Sequence, residues 1–569
     1  MKTDRDGRAA ALQVVDGDGE GEVLVCEEGL SFWGGVDPAT GRVIDAHHPN
    51  RGACVASKIL LMPTSRGSCS GSGVLLELAL NGLAPAALVF REREETLTLG
   101  AVVADLVFGR PLPVLRLPGD RYDALARAGR AALRAGRLAA DGVALDLARP
   151  DPRLPHLTER DRALLAGEAG PAAKAAMAVI LRMAAAEGAT RLVDVSRGHV
   201  DGCILAHPAN LIFAERMAEM GARVAVPTTI NAISVDRVGW RSQGVAEDFG
   251  ARASRLADAY VRMGAQPTFT CAPYLLDDAP KRGELVGWSE SNAVVYANSV
   301  LGARTAKHPD YLDLFVAITG RAPLSDVHAD AGRAPRRVLE AALPGADPDD
   351  AFWPLLGWLA GRLSPDRIPL IVGLERLRPT EDDLKGLCAA FGVTSGAPML
   401  HVAGSTPEAG LSPAPDCDGV AVGAQDLLDA WHALNHAEDR VDLVAIGSPH
   451  ASASEARRLA DLMEGRRRRP DVEVMVTLGR DVLRRTRAEG TAARLERAGV
   501  RLLSDLCWCS ITEPVLPPDA RVVMTNSAKY AHYAQGLTGR CVRYDGLRAC
   551  VETAVTGVAP SGPPAWLRD

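Results

Sequence analysis

At 569 residues the chain is too long for one hydrophobic core, so two to four domains are expected. With 47% hydrophobic and 24% charged residues, the composition is that of a globular protein. A net charge of −7, from 64 basic and 71 acidic residues, gives no electrostatic case for nucleic acid or an anionic membrane and points to a small-molecule partner.

The N-terminus, Met1-Lys2-Thr3-Asp4-Arg5-Asp6, is charged and no apolar run comes after it. No secretory leader is therefore expected, and the protein reads as cytoplasmic. Short β-runs lie at Glu22–Glu27, Ile59–Met62, Ala87–Phe90 and Val114–Leu117, separated by Gly, Pro and Asp turns. The longest apolar stretch, Gly73 to Phe90, holds Glu77, Asn81 and Pro85, which suits a core and not a membrane span. A Pro/Asp/Arg-rich linker at Ala148–Leu157 divides residues 1–150 from residues 151–569, and Thr158 is the expected N-cap of the next helix.

Beyond the linker, strands and helices alternate. Strand Arg191–Val195 leads to helix Ala209–Gly221, strand Arg223–Thr229, helix Ala253–Gly264 and strand Pro267–Cys271. Further strands are expected near Met399–Gly404, Asp442–Ile446, Val472–Thr477, Val500–Asp505 and Arg521–Thr525. This rhythm predicts an α/β fold with largely parallel sheets, arranged as two or three subdomains around one cleft. The basic run Arg466–Arg469 reads as a solvated helix cap.

In open α/β sheets, ligands sit beyond the carboxyl ends of parallel strands. The residues at those ends are polar: Thr228-Thr229-Ile230-Asn231, Cys271, Ser405-Thr406-Pro407, Gly447-Ser448-Pro449-His450, Cys507 with Cys509, and Thr525-Asn526-Ser527. The eleven cysteines are scattered without paired CxxC spacing, which argues against structural zinc and against a disulfide framework. Cys271 and Cys507 are the metal-ligand candidates, and thiolates on distant strands suit an iron–sulfur cluster held by the fold. Cys550, at the start of a helix that favours a thiolate, is the first choice for a third ligand; Cys509 and Cys203 are alternatives. Cys26, Cys54, Cys388, Cys417 and Cys541 are left to packing or surface.

The most specific local signal is the loop Arg66-Gly67-Ser68-Cys69-Ser70-Gly71-Ser72-Gly73. Three glycines and three serines there resemble an anion-binding turn into a helix, although no Lys stands in P-loop spacing. Convergent N–H groups with Arg66 nearby give a serine hydroxyl the setting of a base. Taken alone, the loop reads as a structural turn before it reads as a site.

Pro63–Gly73 resembles the swivel domain of aconitase X. The larger part resembles that family's catalytic region in Val200-Asp201-Gly202-Cys203, Val226–Asn231, Phe269–Tyr274, Glu290-Ser291-Asn292-Ala293 and Asn298–Thr305. Further matches are Thr406-Pro407-Glu408-Ala409, Gly447–His450 and Asn526-Ser527-Ala528-Lys529-Tyr530. After Cys203 the chain departs from the family, with Ile204-Leu205-Ala206-His207-Pro208. The resemblance implies a small N-terminal swivel domain fused to a large multi-subdomain α/β catalytic domain. For the fused type it implies a hydro-lyase that dehydrates cis-3-hydroxy-L-proline; mevalonate 5-phosphate, another hydroxy acid, or a non-catalytic binding protein on the same fold are the alternatives. It implies Ser68 as base, with Ser70 the alternative, Arg66 steadying the serine and Lys529 anchoring the carboxylate. Thr228, Thr229, Ser289, Asn292 and His450 are the expected substrate-binding residues. The implied cofactor is an iron–sulfur cluster, 2Fe–2S for the fused type, or a mononuclear iron, on Cys271, Cys507 and a third cysteine.

Overall fold

A computed structural model describes residues 11–45, 47–66, 69–150, 156–342 and 345–568. The N-terminal part is an eight-stranded mixed sheet whose centre is parallel: Gly19–Val25, Ile59–Met62, Ala87–Phe90 and Val114–Arg116. Ile59–Met62 and Ala87–Phe90 stand where expected and are buried throughout, as strands covered on both faces must be. Side-chain alternation sends Leu60 and Met62 to one core and Ile59 and Leu61 to another. The apolar stretch after the serine loop becomes the helix Gly71–Leu80, packed on the helix Thr96–Phe108. Among the described residues, no single helix is long and apolar enough to cross a membrane.

The catalytic part holds three larger units. Residues 156–331 carry a three-stranded parallel sheet in the order Thr228–Ile230, Gly198–Val200, Gly287–Trp288. Thr158 caps the helix Glu159–Ala166 through a reciprocal pair with Asp161, as its sequence predicts. Next comes a four-stranded parallel sheet, ordered His401–Val402, Pro369–Val372, Arg337–Ala341, Asp418–Val422. The last unit is a five-stranded parallel sheet ordered Arg501–Ser504, Glu473–Leu478, Leu443–Ala451, Val522–Thr525, Cys541–Tyr544.

Two expectations change. The strand expected over Pro267–Cys271 is irregular backbone, because Phe269 adopts φ +42°, outside the β region. The strand expected over Arg223–Thr229 shrinks to Thr228–Ile230. The basic run is less solvated than its composition suggests: Arg466 pairs with Glu552, and Arg468 donates to the carbonyls of Gly499 and Val472.

One apolar core runs without a break from the helix Gly71–Leu80 into the helices Pro171–Glu187 and Pro208–Glu219 of the first catalytic unit. The swivel domain is thereby seated on that unit. Gly73 permits the approach, since a Cβ there would lie 2.9 Å from Tyr311 Oη and 3.1 Å from the His207 ring. Beside it, Glu77 Oε2 accepts the Ala209 N–H at 2.5 Å, capping the helix Pro208–Glu219 from across the interface. The departure at Ile204–Pro208 therefore lies at the domain junction, with His207 kept neutral by burial, its pKa down to about 4.

Candidate active site

The three parallel strands of the first catalytic unit end on one cleft. Asn231 comes directly after the strand Thr228–Ile230, Asp201 directly after Gly198–Val200, and Glu290 two residues after Gly287–Trp288. The sheet order makes these ends neighbours, and one side chain joins them. Asn231 Nδ2 donates to Asp201 Oδ1 and, at 3.2 Å, to Glu290 Oε2. Lys529, at the start of the helix Ala528–Thr538, donates to Glu290 Oε1 at 2.8 Å. Burial pushes the Glu290 carboxyl up, but the Lys529 ammonium and hydrogen bonds from Asn292 and Asn231 overcome it and hold the pKa near 2. Asn292 also donates to the Cys271 carbonyl at 3.0 Å and accepts the Tyr274 hydroxyl at 2.8 Å.

The swivel loop closes the opposite wall. Ser70 Oγ donates to Asp310 Oδ2 at 2.7 Å, and the Cys69 thiol faces Asp201 Oδ2 at 3.7 Å. Ser72 ties the loop down, its Oγ 3.1 Å from the carbonyls of both Cys69 and Asp310. The cleft has a volume of about 840 Å³, and Cys69, Ser70, Asp201, Glu290, Asp310, Cys509 and Lys529 all line it.

Three cysteines gather beside the cleft, and of these Cys509 lines it. Cys507 lies within hydrogen-bonding reach of both Cys271 and Cys509, and Ala232 packs beside them. Cys271 and Cys507 are buried and Cys509 is half-buried. The hydrogen bond with Cys271, together with burial, pushes the Cys507 thiol up to about 12 despite the opposing contact with Cys509. Three neighbouring thiols of this kind could hold a metal ion as thiolates. No disulfide links any of the free cysteines described.

The backbone is strained where it delivers these groups. Among the described residues, five non-glycine residues have φ in the left-handed region. Three of them stand within two residues of a site residue: Phe269 (+42°) before Cys271, Asp505 (+75°) before Cys507, and Tyr311 (+83°) after Asp310. Arg480 links the first two, its guanidinium pairing with Asp505 (Nη2–Oδ2 2.7 Å) and lying 4.9 Å from the centre of the Phe269 ring.

Cys271, Cys507, Ser70, Asn292 and Lys529, all expected at the site, meet here. Others are placed elsewhere. Cys550 is buried in the outer core of the five-stranded unit, its thiol directed to the Asp545 carbonyl at 3.8 Å, whereas Cys509 stands beside Cys507. Cys203 is turned to the Val200 carbonyl at 3.3 Å. Arg66 pairs with Asp45 and Glu28 within the swivel domain and is not among the described residues that line the cleft. Thr228 is spent on the Val226 carbonyl and Thr229 on the His199 ring. Ser289 is fully buried against the Pro309 carbonyl. His450 braces the cysteines and does not face substrate. Its N–H donates to Cys271 Sγ at 3.3 Å, and its ring bridges Thr270 Oγ1 and the Leu506 carbonyl. Ser68 lies outside the described residues.

The sequence reading missed Cys69, Asp201, Asn231, Glu290 and Asp310 as site residues. The rule that ligands sit at strand ends finds Asp201 and Glu290 once their strands are known, but Gly198–Val200 and Gly287–Trp288 are too short to leave a pattern.

Comparison with known proteins matches the whole architecture. Family models for the aconitase X swivel domain (residues 8–138) and the aconitase X first (155–331), second (335–432) and third (441–556) domains succeed one another along the chain. A cis-3-hydroxy-L-proline dehydratase of Pseudomonas aeruginosa is 51% identical, with 98% of each chain covered. One from Hypocrea jecorina is 47% identical, covering 99% of this chain and 98% of its own. The crystal structure of holo-form aconitase X from Thermococcus kodakaraensis is 29% identical with a TM-score of 0.64, covering 70% of this chain and all of that one. With all four domains in sequence and dehydratases aligned along almost its full length, the chain belongs to the aconitase X family and is an enzyme of the hydro-lyase kind.

Proposed function

We propose that this enzyme dehydrates cis-3-hydroxy-L-proline, removing the Cα proton and the C3 hydroxyl as water and releasing Δ1-pyrroline-2-carboxylate after the enamine tautomerises. The observation that carries this reading is the near full-length identity to the bacterial and fungal dehydratases of that substrate. The charge of the cleft supports it, because Lys529 is the one cation among the described residues that line it. A phosphorylated hydroxy acid such as mevalonate 5-phosphate calls for several Arg or Lys groups around its dianion.

Each residue then has a task. Lys529, fixed by Glu290, binds the substrate carboxylate and stabilises the negative charge that develops as Cα loses its proton. A serine of the swivel loop takes that proton. Ser70 stands on the cleft with its own hydroxyl proton directed at Asp310, which gives that proton somewhere to go, while Ser68 shares the loop. Asn292 and Asn231 hold Glu290 in register, so the anchoring ammonium does not wander. Cys271, Cys507 and Cys509 would hold the iron–sulfur cluster, for which their chemistry and burial are suited. Bound there, the cluster supplies a Lewis acid toward the C3 hydroxyl, a poor leaving group unaided.

The test is a dehydration assay of anaerobically reconstituted enzyme with cis-3-hydroxy-L-proline against mevalonate 5-phosphate. Turnover of the first alone is expected. Preference for the phosphorylated acid overturns the assignment. Iron and acid-labile sulfide, measured on the same preparation, separate a 2Fe–2S cluster from a mononuclear iron.

A further inference from the structure

The cleft holds more carboxyl groups than carboxylate anchoring and proton removal require. Glu290 is matched by Lys529. Asp201 and Asp310 are not matched by any cation lining the cleft among the described residues. Both are nine-tenths buried or more, 9% and 5% exposed. No cation is among their partners: Asp201 receives Asn231 and the Cys69 thiol, and Asp310 receives Ser70 and also meets the Cys69 thiol and the Asp201 carboxyl. Asp310 Oδ1 is buried with no hydrogen-bond partner. One oxygen from each carboxylate and the Cys69 sulfur lie within 4.8 Å of one another. Burial raises both carboxyls above the usual range and the Glu290 charge adds to it, with Asp310 also raising Asp201, whereas hydrogen bonds from Cys69, Ser70 and Asp201 oppose the rise at Asp310.

We propose that Asp201 and Asp310 form the recognition site for a secondary ammonium group of the substrate, and that this pair sets the preference for a cyclic amino acid over a hydroxy acid without nitrogen. The inference rests on the function proposed above and names two residues that choose its substrate class. The chemistry of the substrate fits the layout of the cleft. In a proline ring Cα bears both the carboxylate and the nitrogen, so Lys529 and the aspartate pair grip the same carbon by two opposite charges. A third contact, the C3 hydroxyl toward the Cys509 side, fixes which face of Cα meets the serine loop. The ammonium donates to the unpartnered Asp310 Oδ1. An uncharged ring leaves that buried oxygen without a donor, the larger cost in binding.

The experiment is calorimetric titration of the reconstituted holoenzyme with three non-reacting ligands. L-proline carries the ammonium, whereas (S)-tetrahydrofuran-2-carboxylate and cyclopentanecarboxylate keep the ring and acid without it. The wild type is expected to bind L-proline at least about 30-fold more tightly than either, the range of a charge-assisted hydrogen bond. Asp310→Asn and Asp201→Asn, which keep shape, are expected to reduce that preference to about threefold or less by weakening L-proline alone. Retained cluster absorbance and thermal midpoint show that each variant is folded. Equal wild-type affinity for the three ligands overturns the proposal, and this arm needs no variant. So does a preference that survives both substitutions, or a stoichiometric divalent ion at Cys69, Asp201 and Asp310 that L-proline does not displace. Binding is read independently of turnover. A preparation that prefers L-proline but does not dehydrate cis-3-hydroxy-L-proline refutes the proposed function and leaves the ammonium site standing.

Discussion

Ser70 Oγ, carried by the swivel domain, donates its proton to Asp310 Oδ2 of the first catalytic unit at 2.7 Å. The contact joins the loop expected to supply the base to a carboxylate that sequence reasoning did not single out. Ser70→Ala is expected to lower kcat by about 10²- to 10⁴-fold, the usual contribution of a positioned base. Cluster absorbance should be unchanged, since Ser70 touches no cysteine of the trio among its described contacts. Ser68→Ala, measured alongside, decides between the two serines: whichever variant loses kcat at intact absorbance carries the role.

The cysteines separate equally sharply. Cys271→Ala, Cys507→Ala and Cys509→Ala are each expected to lose iron, measured as metal per chain after anaerobic reconstitution. Cys550→Ala is expected to keep it, since its thiol is packed in a different core and points to the Asp545 carbonyl. Loss of iron from Cys550→Ala with retention in Cys509→Ala would return the third position to Cys550.

Those two cysteines also show what was legible in the sequence. The fold class came from the alternation of strands and helices, and the central swivel strands from continuous apolar runs such as Ile59–Met62. The choice of Cys550 rested on a helix start, a local property, whereas ligand sets are decided by which strand ends are neighbours. Cys509 lies in the turn after the strand Arg501–Ser504, whereas Cys550 lies within the helix Leu547–Thr556, and which of these segments comes to lie beside Cys271 depends on packing that is not written in any single segment. The same holds for Asp201, Asn231 and Glu290, which meet because Gly198–Val200 lies between two partners. Thr228 and Thr229 take the opposite course. They looked like ligands for lying at a strand end, yet pleating sends them to opposite faces and each hydroxyl meets a protein partner there, the Val226 carbonyl for Thr228 and the His199 ring for Thr229.

Gly73 tests the docking of the swivel domain. The added methyl of Gly73→Ala would sit 2.9 Å from Tyr311 Oη, and Tyr311 is fully buried against Phe213 with ring centres 4.1 Å apart. Neither ring has room to withdraw, so the helix Gly71–Leu80 must shift and draw Ser70 off Asp310. A loss of about 1–3 kcal/mol in stability is expected, with kcat reduced more than about tenfold. Differential unfolding and steady-state kinetics read the two effects. Normal kinetics in the variant would show that the loop reaches its position independently of this contact.

Asp313 ties stability to pH. Its Oδ2 accepts the Asp201 N–H at 2.6 Å, but burial outweighs that bond and lifts its pKa to about 7. Because the unfolded carboxyl ionises near 3.8 and the folded one near 7, the folded state binds more protons between those values. Stability from this group is therefore full below about pH 4 and declines as pH rises to about 7. Asp313→Asn should flatten that decline in a series of urea melts from about pH 4.5 to about 7.5. An unchanged slope would place the buried proton elsewhere in the cluster with Asp201 and Asp310.

Arg480 braces the two loops that carry Cys271 and Cys507, although among the described residues it makes no hydrogen bond to a cysteine. It pairs with the fully buried Asp505 and stacks over Phe269, so one guanidinium holds both strained residues that set the directions of Cys271 and Cys507. Asp505 also receives the Arg237 N–H at 3.0 Å, which does not neutralise it. Arg480→Ala leaves a buried carboxylate unpaired and is expected to cost about 3 kcal/mol, near the lower end for a broken pair because Arg480 itself is 36% exposed. Relief of strain at Asp505 and Phe269 should let the two loops drift, and the cluster should be lost faster to a chelator. Turnover per bound cluster should stay within about twofold, since no substrate contact is removed. Arg480→Lys keeps the charge but neither the bidentate fork nor the planar stack, and is expected to fall between the wild type and the alanine variant. Chelation half-life, tracked by visible absorbance, is the deciding measurement. If Arg480→Ala holds its cluster as long as the wild type, the cysteine loops are fixed by His450 and the domain cores alone.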